Sequence, residues 1–187
     1  RCPAARELAA LGAAPDAGFH PRPVAWAEWR ERGLLVRCML VLQEIAGARD
    51  LASWLRDERS PRLRRQVLAD LARRVRTMHA EGIVDGDLHA RNVLVDLRDP
   101  AAPRTWKVDC ARQRRFGTAP RRRRLHDLAC LDADLRHLAT RTERLRALRD
   151  CATGPDLRPM VIAVARMRRA LDADAARRLA PAEPRAR

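Results

Sequence analysis

The stretch between Gly82 and Asp109 constrains this chain more than any other part of it. Ahead of it, Ser60-Pro61 is a helix start, with Ser as N-cap and Pro in the first helical position. Leu63, Val67, Leu71, Val75 and Met78 then recur at spacings of three and four, and Gly82 supplies the left-handed residue that ends such a helix. Directly after it come Val84-Asp85-Gly86-Asp87-Leu88-His89-Ala90-Arg91-Asn92-Val93-Leu94-Val95. The spacing predicts a short strand over 92–96, a turn containing Pro, and a second strand over 106–109. Such a hairpin can set Asn92 and Asp109 at neighbouring strand ends, with Asp87 on the loop just before. Asp, Gly and Asn are common turn residues taken singly, but a helix, a capping Gly and this order of acids and apolar strands together specify more than a turn.

The flanking sequence fits one mixed α and β unit. A short helix over 4–11 precedes a break at Pro15-Asp16-Ala17-Gly18, and two strands, 24–29 and 34–43, are spaced as a hairpin. The second is almost continuously apolar, as a strand covered on both faces would be. A helical turn follows over 51–55, and after Leu125 come helices only: one carrying Leu128, Leu131, Leu135 and Leu138, then 143–151 and 158–171, with a frayed tail from Pro181. With no Tyr and two Phe, the core must be built from Leu, Val and Ala.

The formal charge of +15 invites a nucleic-acid reading. The positive residues are nearly all Arg, Lys107 being the only lysine, and they spread along the chain apart from the run Arg121 to Arg124. That distribution suits an anionic membrane face or an anionic glycolipid equally well, and nucleic acid is not the partner expected. Five scattered cysteines without a CxxC pair argue against a disulfide framework or a zinc site, which makes a cytoplasmic location the default.

Phosphoryl transfer from ATP needs one carboxylate to orient the acceptor hydroxyl, with an amide oxygen and a second carboxylate holding Mg²⁺ against the phosphates. Asp87, Asn92 and Asp109 are such a set. The segment is similar to the catalytic loop of protein-kinase-like enzymes. It most resembles the lipopolysaccharide kinase (Kdo/WaaP) family, through Gly86-Asp87-Leu88-His89-Ala90-Arg91-Asn92-Val93-Leu94 and the Arg-rich helix with Asp127 downstream. The resemblance covers about residues 6–151. It implies an α+β protein-kinase-like fold, with residues 1–47 as a remnant of the small lobe and 48–187 as the mostly helical lobe. It implies ATP and Mg²⁺ as cofactors and a lipopolysaccharide core sugar, Kdo or heptose, as acceptor, with peripheral contact at the inner membrane. By the same resemblance Asp87 is the catalytic base, and Asn92 and Asp109 are the metal ligands. Glu7 matches the helix glutamate that pairs with a nucleotide-positioning lysine, while Glu44 and Ala46 lie in the hinge that holds adenine. Asp127 anchors the catalytic loop from below, and His89 favours a sugar acceptor over a protein one.

Three departures from the family pattern stand out. Asp85 occupies the place of a loop-bracing His and adds charge near Asp87 and Asp109. Cys110-Ala111 replaces Phe-Gly after the metal Asp. The Gly-rich loop and its lysine are missing ahead of Glu7, and Lys107 is too close to Asp109 to serve. These leave two expectations: a shortened form of an active kinase, or a non-catalytic relative acting as a binding module.

Overall fold

The computed structural model describes residues 2–13, 19–152 and 157–179. The breaker at Pro15 to Gly18 and the tail from Pro181 lie outside them. In chain order the elements are α1 (Pro3–Ala13), β1 (Pro23–Glu31), β2 (Leu34–Leu42), β3 (Arg49–Asp50), α2 (Leu51–Asp57), α3 (Pro61–Ala80) and β4 (Ile83–Val84). A 3₁₀ turn (Ala90–Asn92) leads into β5 (Val93–Asp96), followed by β6 (Arg104–Lys107), β7 (Arg114–Arg115), α4 (Arg121–Leu135), α5 (Arg141–Cys151) and α6 (Leu157–Leu179). Strands β1 and β2 form an antiparallel hairpin, β3, β5 and β6 a small sheet with β5 in the middle, and β4 pairs β7.

Helix α3 is the axis of the helical lobe. The Ser60 hydroxyl accepts from the Leu63 amide at 3.3 Å, and Pro61 stands in the first turn. Val67, Leu71, Val75 and Met78 are buried, and Leu63 packs at the edge of the same core. Each fully buried aliphatic side chain contributes roughly 1.5–3 kcal/mol. Around this stripe α2, α4, α5 and α6 close the core with Leu51, Leu55, Leu128, Leu131, Leu148 and Val164. Buried and half-buried polar groups tie the lobe at its seams. Arg64 joins Glu143 of α5 at 2.7 Å and donates to the carbonyls of Leu55 and Leu138. Asp70 of α3 accepts from both the amide and the hydroxyl of Thr105 at 2.8 Å, which holds β6 against the helix.

The structure departs from the sequence expectations at several points; α4, for one, ends at Leu135 and leaves Leu138 in the turn beyond it. The apolar run of β2 is covered on one face, not two. α1 packs against Leu40 and Leu42, whereas Met39 and Val41, which alternate with them, are exposed, because no described element covers the other face of the hairpin. The strand expected over 106–109 sits two residues earlier, since Asp109 takes a left-handed backbone (φ 59°) that a strand cannot contain. Helix α6 runs to Leu179 rather than 171, carried by an Ala-rich stretch of high helix propensity.

Gly82 is required where α3 meets the loop. Its φ is 80°, and a Cβ there would lie 2.1 Å from the carbonyl oxygen of Phe116, whose own amide donates back to the Gly82 carbonyl at 2.8 Å. Gly82→Ala is expected to lower the unfolding free energy by about 2 kcal/mol or more, from backbone strain and the clash together. A urea titration reads this directly, and an unchanged midpoint would show that the β4–β7 contact is not formed in solution.

Candidate active site

The loop after β4 is pinned from beneath by one carboxylate. Asp127, buried on α4, accepts from the Asp85 amide at 2.9 Å and the Gly86 amide at 2.8 Å. His79, buried near the end of α3, places its Nε2 3.0 Å from the same side chain. From the sequence, His79 reads as a packing or helix-end residue; the fold makes it the brace of Asp127 instead. Two successive amides fixed in this way set the path of the chain into Asp87. Gly86 takes φ 77°, and a Cβ on it would lie 3.2 Å from the Arg112 carbonyl.

Asp87 and Asn92 meet across the turn that separates them. The Asn92 amide donates to Asp87 Oδ2 at 3.1 Å and to the Asp87 carbonyl at 3.3 Å. That leaves the Asn92 side-chain oxygen available as an acceptor. His89 stands over the other carboxylate oxygen, its Nε2 3.9 Å from Asp87 Oδ1, and its Nδ1 is held 3.1 Å from Asp134 of α4. Burial alone would raise the Asp134 carboxyl, but His89 and the Ala90 amide hold it below its usual range. The Arg112 guanidinium approaches Asp87 Oδ1 at 3.5 Å from the solvent side.

Asp109 enters from β6. Lys107 pairs with Val93, and the Val108 amide donates to the Asn92 carbonyl at 2.9 Å, so Asp109 follows directly beside Asn92. Its left-handed backbone is held from both sides. Glu7 of α1 accepts from the Cys110 amide at 3.0 Å, and the Lys107 ammonium donates to the Asp109 carbonyl at 2.9 Å and to the Val108 carbonyl at 2.5 Å. Lys107 is fully buried and lies 3.2 Å from Asp85 Oδ2, also buried. The Asp at the loop-bracing position therefore does not stand as a loose extra charge; the chain's only lysine faces it. Beside them, burial pulls His20 down to about 4, and the neutral ring sits 3.2 Å from the Lys107 carbonyl. Glu44 and Ala46 lie apart from this cluster, exposed on either side of buried Ile45 in the segment joining β2 to β3.

This arrangement of loop, hairpin and helical lobe matches known proteins. A model of the lipopolysaccharide kinase (Kdo/WaaP) family matches residues 1–149. The chain belongs to that family. Among its relatives, the 3-deoxy-D-manno-octulosonic acid kinase of Photobacterium profundum is 36% identical over 110 residues, 58% of this chain and 42% of the relative. The enzyme of that name from Vibrio cholerae is 31% identical over 105 residues, 56% of this chain and 41% of the relative. The chain thus spans about two-fifths of the length of these curated relatives. A solved structure described as WaaP in complex with acyl carrier protein superposes with a TM-score of 0.73 at 25% identity, covering 95% of this chain and 77% of that one. The α+β, protein-kinase-like fold is that of the Kdo/WaaP family.

The donor set suits a small, hard cation. The Asn92 oxygen and the exposed Asp109 carboxylate offer hard oxygen donors, and Asp109 has no ion-pair partner among the described residues. Mg²⁺ is typically held by one or two carboxylates together with substrate phosphates, so a site this sparse fits it.

The Lys107–Asp85 contact left no signal in the sequence, because the two residues lie on different strands of the chain's path. Burial raises the Asp85 carboxyl from 3.8 to about 7, Lys107 pulling it down while Asp127 and Asp87 push it up. The folded chain therefore binds this proton more tightly than the unfolded chain does. The stability this group contributes is present at low pH and is lost as the pH rises through about 7. Lys107→Met is expected to cost about 3–5 kcal/mol at pH 8, where the buried Asp85 carboxylate loses the cation that favours its charged form and must take up a proton to stay buried. At pH 6, with Asp85 protonated, the cost is expected to be clearly smaller. Adding Asp85→Asn should recover most of the loss. Urea denaturation of the three proteins at both pH values checks this, and a pH-independent cost would remove the ion pair from the account.

Proposed function

We propose that this chain carries the catalytic half of an ATP-dependent phosphotransferase that phosphorylates a sugar hydroxyl of the lipopolysaccharide core, Kdo or heptose. The observation that supports it best is the pinned loop. Asp87 is bound to Asn92, both stand on a loop fixed by Asp127, and Asp109 is delivered beside them by a turn that Glu7 and Lys107 hold. The curated relatives, named as 3-deoxy-D-manno-octulosonic acid kinases, support the acceptor class.

In this reading Asp87 receives or orients the proton of the acceptor hydroxyl. Its Oδ2 is occupied by Asn92, so Oδ1, beside His89, faces the acceptor. His89, tethered to Asp134, limits how the acceptor ring approaches. Asn92 and Asp109 would hold Mg²⁺, which supplies charge neutralisation for the transferring phosphoryl group. Glu7 stands on α1 against the Asp109 turn and would pair with a nucleotide-positioning lysine, which this sequence does not contain, Lys107 being taken by Asp85. Glu44 and Ala46 would present backbone groups to adenine where β2 leads into β3. The two-part division, 1–47 and 48–187, belongs to the same proposal. No helix among the described residues is long and apolar enough to cross a membrane. The protein would act in the cytoplasm, at the inner face of the inner membrane where its acceptor is exposed.

In the complete gene product, Asp87→Asn is expected to lower kcat by about 10²–10⁴-fold with little change in melting temperature. Asp109→Ala should abolish turnover of Mg-ATP. Radiolabel transfer from γ-labelled ATP to a Kdo-containing lipid acceptor measures both. Unchanged turnover in either variant would overturn the corresponding role, and a folded wild-type protein without any transfer would favour the non-catalytic binding module.

A further inference from the structure

Beside the Asp87 loop lies a cavity of about 690 Å³ that no residue of β5 or β6 lines and that none of the roles above uses. It is walled by α1, the β4–β7 pair, the segment after Asp109 and the first turns of α4, and its charge is one-sided. Arg6, Arg112, Arg114 and Arg123 reach it from three separate parts of the chain, and all four are exposed. Of the four, Arg112 alone has an ion-pair contact among the described residues, at 3.5 Å to Asp87. Among the described residues the sole acid in the wall is Asp127, whose oxygens are already taken by the Asp85 and Gly86 amides and His79. Gln113 also lines the cavity, and both polar atoms of its amide are buried without a hydrogen-bond partner.

Guanidinium groups gathered around a concave site repel one another unless an anion lies between them, and their planar forks match carboxylate and phosphate oxygens. An unpartnered buried amide in the same wall costs stability until something fills its hydrogen bonds. Arg112 and Gly86 join this cavity to Asp87, so a group bound there is a near neighbour of the hydroxyl that Asp87 would orient. We propose that this cavity is an anion subsite for the acceptor, and that it takes a carboxylate or phosphate carried on the acceptor sugar. The subsite rests on the phosphotransferase reading for its purpose, though not for its chemistry. It gives the site a way to prefer acidic acceptors over neutral sugars, with binding energy gained away from the reacting hydroxyl and used to hold that hydroxyl in place.

The test uses the complete gene product and the double substitution Arg114→Gln with Arg123→Gln, two exposed side chains outside the catalytic machinery. Inorganic phosphate is the probe for binding, read by calorimetry without nucleotide. Loss of these two charge-assisted contacts is expected to weaken phosphate binding about ten- to a hundredfold. In steady-state assays the variant should raise KM for the acidic acceptor by a similar factor. Its kcat, its KM for ATP and its KM for the acceptor with that acid as a neutral methyl ester should stay within about twofold, a change worth under half a kcal/mol. Phosphate should compete with the acceptor in the wild type. If phosphate binds and the variant weakens it, but acceptor KM is unmoved, the cavity serves a free anion and the acceptor assignment is overturned. If phosphate binding is the same in both proteins, the subsite itself is overturned. A wild type that binds phosphate through Arg114 and Arg123 yet transfers no phosphoryl group would sink the phosphotransferase reading, and the acceptor assignment with it, while leaving the anion site standing.

Discussion

The carboxylate of Asp127 is the point on which the site depends. It lies in the helical lobe, fully buried, and gathers two loop amides and the His79 ring in one set of contacts. A loop of this length has many accessible conformations, and freezing it costs roughly 1–2 kcal/mol per residue. Charge-assisted hydrogen bonds in a low dielectric are strong enough to meet that cost, being worth about 1.5–3 kcal/mol each. Asp87 therefore inherits its position from α3 and α4, elements held by ordinary apolar packing, and the precision of the site follows from the rigidity of the core beneath it.

The same logic runs along the second half of the site. Asp109 has a backbone conformation that a non-glycine residue adopts only when its surroundings insist. Here the surroundings are two polar clamps, Glu7 on the Cys110 amide and the Lys107 ammonium on the carbonyls of Val108 and Asp109. Lys107 is buried for this purpose, and a buried ammonium needs a counter-charge. Asp85 provides it. The departure from the family's loop-bracing residue and the presence of a lysine two places before Asp109 are thus one feature, seen from two positions in the chain.

The β1–β2 hairpin is organised differently from the lobe below it. α1 covers one of its faces through a small cluster of Ala10, Leu11, Leu40 and Leu42, closed at the bottom by Cys110. That cluster joins the hairpin to the residue after Asp109, so the packing of α1 and the geometry of the Asp109 turn are mechanically linked. The cationic cavity abuts the same helix through Arg6.

Much of this was legible in the sequence because it is local. The Ser60-Pro61 start, the apolar stripe of α3, the Gly82 stop and the run of acids and Asn from Asp85 to Asn92 are patterns of near neighbours, and each dictates its conformation within a few residues. Together they settled the α+β class, the family resemblance and the hairpin that Asn92 leads into. What the linear pattern did not carry were partnerships across long separations: His79 with Asp127, Lys107 with Asp85, Glu7 with the Cys110 amide, and the meeting of Arg6, Arg112, Arg114 and Arg123 around one cavity. Nor did an apolar run reveal how many faces of β2 would be covered, since hydrophobicity reports what a strand can bury and not what arrives to bury it. Burial of polar and charged groups is decided only when distant segments pack, because a charge is tolerated inside a protein only where a specific partner meets it. The sequence by itself determined the elements and the chemistry they offer; the tertiary structure decided which charges would face one another.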